Sequence, residues 1–248
     1  MTMRERLDQR ILGAVQFVDV VTKLPVSTPL RVSGARVQRN TSGLYVIVAP
    51  QPNTPAATAF KTYVETFPEP PNVANTGLTL SVEDFSGQYL AREFTFPAPL
   101  QDDNENQPNY LFKPVAVNLF PSPAAPVQMN WAAVRVHVHR TNSTTPIAGA
   151  LVRVTRDGQN TPVGVGLSDA RGEALVAIAG LPLVEAAEDD GPVLTSEYAA
   201  SVEARVNPAA TIPNPDTMAA NNGLPSATAN VTISPKREVA VDLSITLP

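Results

Sequence analysis

Along most of the chain, apolar and polar residues alternate with a period of two. The cleanest instance is Val134, Val136 and Val138 alternating with Arg135, His137 and His139, the pattern of a strand with one buried and one wet face. Ile147 to Thr155 alternates again, and Asp157-Gly158 supplies a dipeptide that tolerates positive φ at a strand reversal. Two further short strands flank Ser168-Asp169-Ala170-Arg171-Gly172. There the Asp carboxylate is placed to accept backbone N–H groups ahead of it, and the Gly to take the left-handed position. Ser196 to Val206, Ala227 to Ile233 and the C-terminal run from Val239 complete the strands expected in this half.

The first half reads the same way. Strands are expected from Val15 through Val21, from Leu30 to Val37, from Leu44 to Val48, from Ala59 to Phe67, over Leu78, Leu80 and Val82, from Tyr89 to Phe96, and from Pro114 to Leu119. Residues 50 to 58 and Gln101 to Asn109 read as loops, and Asp84-Phe85-Ser86-Gly87 has the turn logic of Asp169 to Gly172. One stretch is helical in pattern: Thr2 and Glu5 have capping-box spacing, and Leu7 and Ile11 fall four apart. Helices below about 12 residues are marginal alone. This N-terminal arm is therefore either a frayed leader or a docking element for a neighbouring subunit.

The two halves share a plan. Residues 15 to 26, VQFVDVVTKLPV, parallel 134 to 147, VRVHVHRTNSTTPI, and VAVNL at 115 to 119 parallels VAVDL at 239 to 243. One pair opens each half and the other closes it, as tandem copies of one fold require. FPSPAAP at 120 to 126 is a proline-rich junction between them.

The spelling of the second half, with Thr145-Pro146-Ile147-x-Gly149-Ala150, then Asp157-Gly158, then Ser168-Asp169-x-x-Gly172, resembles the carboxypeptidase-regulatory-like and transthyretin-like β-sandwiches. The resemblance implies an all-β protein: two tandem Ig-like/transthyretin-like β-sandwich domains with a short N-terminal arm. The boundaries expected are an arm at 1–12, a first domain at 13–120, a linker at 121–126 and a second domain at 127–248. The regulatory module that names the family is an accessory, non-catalytic one, and fold alone fixes no chemistry.

Composition narrows the function. A chain of 248 residues is long enough for two cores, and with aromatics at only 6% those cores must be mainly aliphatic. Its 25 prolines belong in turns, edges and loops, because Pro cannot donate to a ladder. A net charge of −5 argues against nucleic acid, whose phosphates require a basic surface. The absence of cysteine removes disulfides, thiolate catalysis and sulfur-ligated zinc. Gln16 and Asp19 interrupt the first apolar run and there is no A-x-A site, so no secretory signal is expected; no window is long and apolar enough for a membrane span. The expectation is assembly in the cytoplasm, with later release as part of a particle.

Candidate chemistry is sparse. His137 and His139 share one face of a strand and are the candidate metal ligands, but a site needs an Asp or Glu converging from another strand. The simpler reading is two solvent-facing histidines, with no resident metal, no cofactor and no catalytic residues. The acidic runs Asp102 to Asn106 and Glu185 to Asp190 lack a calcium-loop register, and no hydrolase, zinc-protease, P-loop or dinucleotide motif is present. Trp131 is the sole tryptophan and reads as a core or interface residue. The stretch from Asn207 to Ser226 reads as a long aperiodic loop carrying Ile212, Met218 and Leu224. With Leu7 and Ile11, these are the candidate partner contacts, and the loop's alternative role is a lid over its own sandwich. A non-enzymatic structural subunit, bound to other protein subunits or to itself in a phage-tail-like or contractile injection particle, fits these features. An adhesion or carbohydrate-binding module is the alternative, and an enzyme using a metal on the two histidines is a third reading.

Overall fold

The computed structural model of the chain describes residues 10–66, 76–100, 110–181 and 196–248. Leu7 and most of the arm, both acidic runs and the loop expected from Gln101 to Asn109 lie outside them. The described residues are all-β in architecture, with two short helices among them.

In the first half, β1 (Gly13–Asp19), β3 (Ala35–Arg39), β4 (Tyr45–Pro50) and β7 (Val115–Leu119) form a sheet in the order β3-β4-β1-β7. A second sheet contains β2 (Arg31–Ser33), β5 (Thr76–Glu83) and β6 (Arg92–Ala98), in the order β2-β5-β6. Phe17 of β1 meets Tyr45 edge-on at 5.1 Å, and meets Phe94 of the other sheet at 5.8 Å. The sheets therefore face each other across a core hinged on aromatic rings. Leu12, expected at the end of a helical arm, lies outside any helix and is fully buried, its N–H donating to Ile47 O and its carbonyl accepting Leu100 N–H.

Two expectations fail in this half. The strand expected from Leu30 to Val37 is broken at Gly34, whose φ of 97° belongs to glycine, and a Cβ there would stand 2.7 Å from Thr79 O. That bend lets β2 and β3 join different sheets. The strand expected over Ala59 to Phe67, together with part of the loop expected at 50 to 58, is instead a helix, α1 (Pro55–Glu65). Thr54 caps it by accepting Ala57 N–H at 3.2 Å, and Pro55 opens its first turn. Phe60, fully buried, docks it on the core.

The strands of the second half are β8 (Ala132–Arg140), β9 (Leu151–Arg156), β10 (Gly164–Leu167), β11 (Glu173–Ile178), β12 (Tyr198–Arg205), β13 (Ser226–Ile233) and β14 (Glu238–Ile245). They form one sheet in the order β11-β8-β14 and another in the order β10-β9-β12-β13. Their inner faces share one core of Val134, Val136, Val138, Val152, Val154, Val176, Val202 and neighbouring aliphatic residues. The two marked turns form as expected. Gly158 sits at φ 77°; Asp169 accepts Arg171 N–H at 2.8 Å and Glu173 N–H at 3.1 Å, with Gly172 at φ 74°.

The repeat is visible in backbone bonding. Val26 N–H donates to Phe17 O and Ile147 N–H to Val138 O, both at 2.9 Å, and each intervening turn holds a non-glycine residue near φ 60°, Lys23 and Asn142. The closing strands β7 and β14 each lie beside the opening strand of their half.

Packing divides the chain into two compact units, and the division is not a single cut. One comprises Met1–Val18, Pro25–Val82 and Glu93–Asn118; the other comprises Asp19–Leu24, Glu83–Arg92 and Leu119–Pro248. Within the second unit, Val20 and Phe120 pack with Leu151, Leu167 and Met218. The proline-rich junction is folded in as well: Leu90 N–H bonds Phe120 O, Ser122 N–H bonds Gln88 O, and Pro121 and Pro123 are buried. The stretch from Asn207 to Ser226 is also not a featureless loop. It contains α2 (Pro215–Ala220), capped by Asn214, and the buried Arg205 guanidinium binds Met218 O, Asn221 O and the Asn222 side chain at its end.

Candidate functional site

The outer face of the β11-β8-β14 sheet gathers the two histidines. β8 alternates strictly, with Val134, Val136 and Val138 inward, which obliges Arg135, His137 and His139 to stand outward. β14 lies parallel to β8 and alternates too, with Leu243 and Ile245 buried and Ala240, Asp242 and Ser244 exposed. The register sets Asp242 beside His137.

Three polar side chains converge as a result. His137 Nδ1 lies 3.1 Å and His139 Nε2 3.3 Å from the same Asp242 Oδ1. The imidazole rings stack with centroids 5.5 Å apart. One ligand atom from each of the three residues falls within 4.8 Å of the others, the one such cluster among the described residues. The carboxylate that converges on the two histidines from another strand is Asp242.

The tautomer of His139 is set by its surroundings. Its Nδ1 is 2.8 Å from Ser143 O and 3.1 Å from Arg140 O, both pure acceptors, so Nδ1 carries the hydrogen and donates. Nε2 then presents its lone pair to Asp242 whenever the ring is neutral. The two main-chain carbonyls, Arg140 O first and then Ser143 O, hold the His139 pKa above the ordinary histidine range against the opposing effect of burial, with Asp242 adding to the rise. Ser143 is placed by the turn after β8, in which Asn142 takes a left-handed conformation.

Neighbouring charges are already matched. Arg135 donates to Glu238 at 2.8 Å and to Pro123 O. Glu173 stands directly opposite His137 in the β11–β8 register and pairs with Arg171 at 2.7 Å. A groove of about 480 Å³ opens over this face, lined among others by Arg135, His137, Glu173 and Asp242.

The other singled-out residues are elsewhere. Asp84, expected as a turn residue, is one: burial raises its pKa, but the Ser86 hydroxyl and the N–H groups of Ser86, Tyr89 and Gln88 outweigh that and hold it below the carboxylate range. Ile11 is half-buried just ahead of β1. Met218 is buried against Leu151 and Leu167, Leu224 packs at the margin of the same cluster and Ile212 is half-buried. These two packed side chains, Met218 and Leu224, are folded back in the manner of a lid. Trp131 is half-buried and, with Tyr89, Gln88, Gln128 and Asp19, lines a groove of about 340 Å³.

A signal for Asp242 exists in the repeat. Aligning Phe17 with Val138 and Val117 with Val241 places Gln16, Val18 and Asn118 where the second half has His137, His139 and Asp242. Three ligating types replace three residues in one copy only, and only the parallel β8–β14 pairing shows that they meet.

No family model and no curated protein matches the chain. Among solved structures, the shaft pilin spaA of Lactobacillus rhamnosus GG is similar over 97% of this chain and 100% of its own, at 12% identity with a TM-score of 0.21. That level of likeness carries no structural argument. Among the described residues, no helix is long and apolar enough to cross a membrane.

Proposed function

We propose that the chain is a non-enzymatic structural or interaction subunit that works within a larger protein assembly, of the kind that decorates phage tails and phage-tail-like contractile injection particles. The observation that carries this reading is β14. Among the described residues it is an edge strand of eight residues, hydrogen-bonded to β8 on one side, with no proline between Glu238 and Ile245 to blunt it. Isolated proteins guard such edges with prolines, bulges or lysines; assembling proteins use them to accept another strand. The sandwich of the second half, read as carboxypeptidase-regulatory-like, supplies the packed core that holds it.

The test is incorporation. Ala240 and Ser244 are exposed on β14, and the double substitution A240K/S244K places two gatekeeping charges beside the open edge without touching the core. The full chain is expected in a high-mass fraction of native extracts, and the double variant outside it with an unchanged melting temperature. A wild-type chain that sediments only as a monomer, with no partner recovered, rules the assembly reading out.

A second reading, an adhesion or carbohydrate-binding module, is favoured by the groove of Tyr89 and Trp131. An aromatic pair flanked by Gln88, Gln128 and Asp19 has the mix of ring faces and hydrogen-bonding groups that sugars require. Quenching of the single tryptophan by a glycan panel separates the two: saturable quenching lost in Trp131→Leu selects the glycan reading.

A further inference from the structure

We propose that His137, His139 and Asp242 bind one divalent transition-metal ion, zinc by the geometry, on the outer face of the β11-β8-β14 sheet. The donor set is two imidazoles and one carboxylate, the borderline ligands that suit zinc, nickel, copper and iron rather than calcium or magnesium.

Distances choose within that class. A tetrahedral ion with bonds of about 2.0–2.1 Å sets its ligand atoms about 3.3 Å apart, while an octahedral ion with the same bonds sets them about 2.9 Å apart. The two N···O separations at Asp242 Oδ1 are 3.1 Å, midway between the two edges, and 3.3 Å, at the tetrahedral one. The remaining edge closes by small rotations of His137 and Asp242, the two more exposed side chains, since all three ligand atoms already lie within 4.8 Å of one another.

An independent observation supports the assignment. The His139 ring is held through Nδ1 by main-chain carbonyls at 2.8 Å and 3.1 Å, the outer hydrogen bond that commonly orients a metal-bound histidine and fixes which nitrogen is free. That free nitrogen, Nε2, aims at a carboxylate oxygen.

Competition from neighbours is small. Arg135 is engaged by Glu238, and Glu173 by Arg171, so Asp242 serves the histidines. His137 and Asp242 line the groove over the sheet, which leaves room for a water, an exogenous anion or a side chain of a neighbouring subunit to complete the ion.

The experiment uses the full chain, purified without a histidine tag, stripped with chelator and titrated with zinc chloride by calorimetry in a non-coordinating buffer. Histidine ring resonances are followed by NMR in parallel; the chain has only two histidines. The expected result is one equivalent bound, with both histidines shifting at the same stoichiometry. Asp242→Asn and His139→Gln should each weaken binding roughly tenfold or more, with far-UV dichroism unchanged because none of the three side chains belongs to the core. Binding in Asp242→Asn equal to wild type, a shift of only one histidine, or no saturable uptake overturns the proposal. The NMR readout on wild type stands even if a variant fails to fold.

Discussion

The two halves differ by the position of a single strand. In each, the opening strand is flanked by the closing one, β1 by β7 and β8 by β14. In the first half the chain crosses between sheets at once, bending at Gly34 so that β3 joins the β1 sheet against β4. In the second half the corresponding strand, β10, stays paired with β9, and the crossing waits for the Asp169 to Gly172 turn. The cores differ alongside: Phe17, Tyr45, Phe60, Phe94 and Phe96 are buried in the first, while closely set valines and alanines fill the second. The hydrogen-bonded frame is common to both, whereas the crossing point and the chemistry of the wet face are free to change.

The largest effect should come from the aromatic core. Phe17→Ala removes a ring that bridges both sheets of the first half through two edge-on contacts, with an expected cost of about 3–5 kcal/mol. Val152→Ala, at a fully buried site in the second core, should cost about 2 kcal/mol, because many small side chains share the load. Chemical denaturation of both variants checks this, and equal losses would mean that the two cores do not differ in how burial is distributed.

The crossings come next. Gly172→Ala sets a Cβ 2.3 Å from Val138 O, and Gly34→Ala sets one 2.7 Å from Thr79 O, both at positive φ. Each should cost on the order of 3 kcal/mol, as neither obstacle is a side chain that moves aside. Gly158→Ala, also at positive φ but with nothing within 4 Å, should cost only about 1 kcal/mol. Thermal melts of the three separate a crowded crossing from an ordinary turn.

The smallest effect is the pH dependence contributed by Glu203 in the second half. Glu203 of β12 is pushed up by burial, but the hydrogen bonds and charges of Arg153 and Arg205, both at 2.6 Å, outweigh this and hold it below the ordinary carboxylate range. A carboxylate with a depressed folded value contributes stability that is full above its unfolded value and is lost as pH falls through the folded one. Stability should therefore decline on acidification below the ordinary carboxylate range, and Glu203→Gln should flatten that part of the profile. An unchanged acid limb in Glu203→Gln would assign the decline to other carboxylates.

Elements governed by nearest neighbours were legible in the chain before any fold was known. Alternation named β1, β4, β8, β9, β12 and β14, because burial of every second residue is written in the order of residues. Asp157-Gly158 and Asp169 to Gly172 named their turns, because an Asp side chain and a Gly backbone act within five residues. The helices were legible in principle: Thr54-Pro55 and Asn214-Pro215 are cap-and-start pairs, and at α1 the signal was masked by apolar residues at 59 to 67 that suit a strand as well. Gly34 was legible as a glycine but not as a change of sheet, since that depends on Thr79, 45 positions further along the chain. The site divides in the same way. His137 and His139 lie together on one strand face by local period, but Asp242 is 105 positions beyond His137. Only the parallel pairing of β14 with β8, which turns sequence distance into a side-by-side row, gave the histidines their carboxylate.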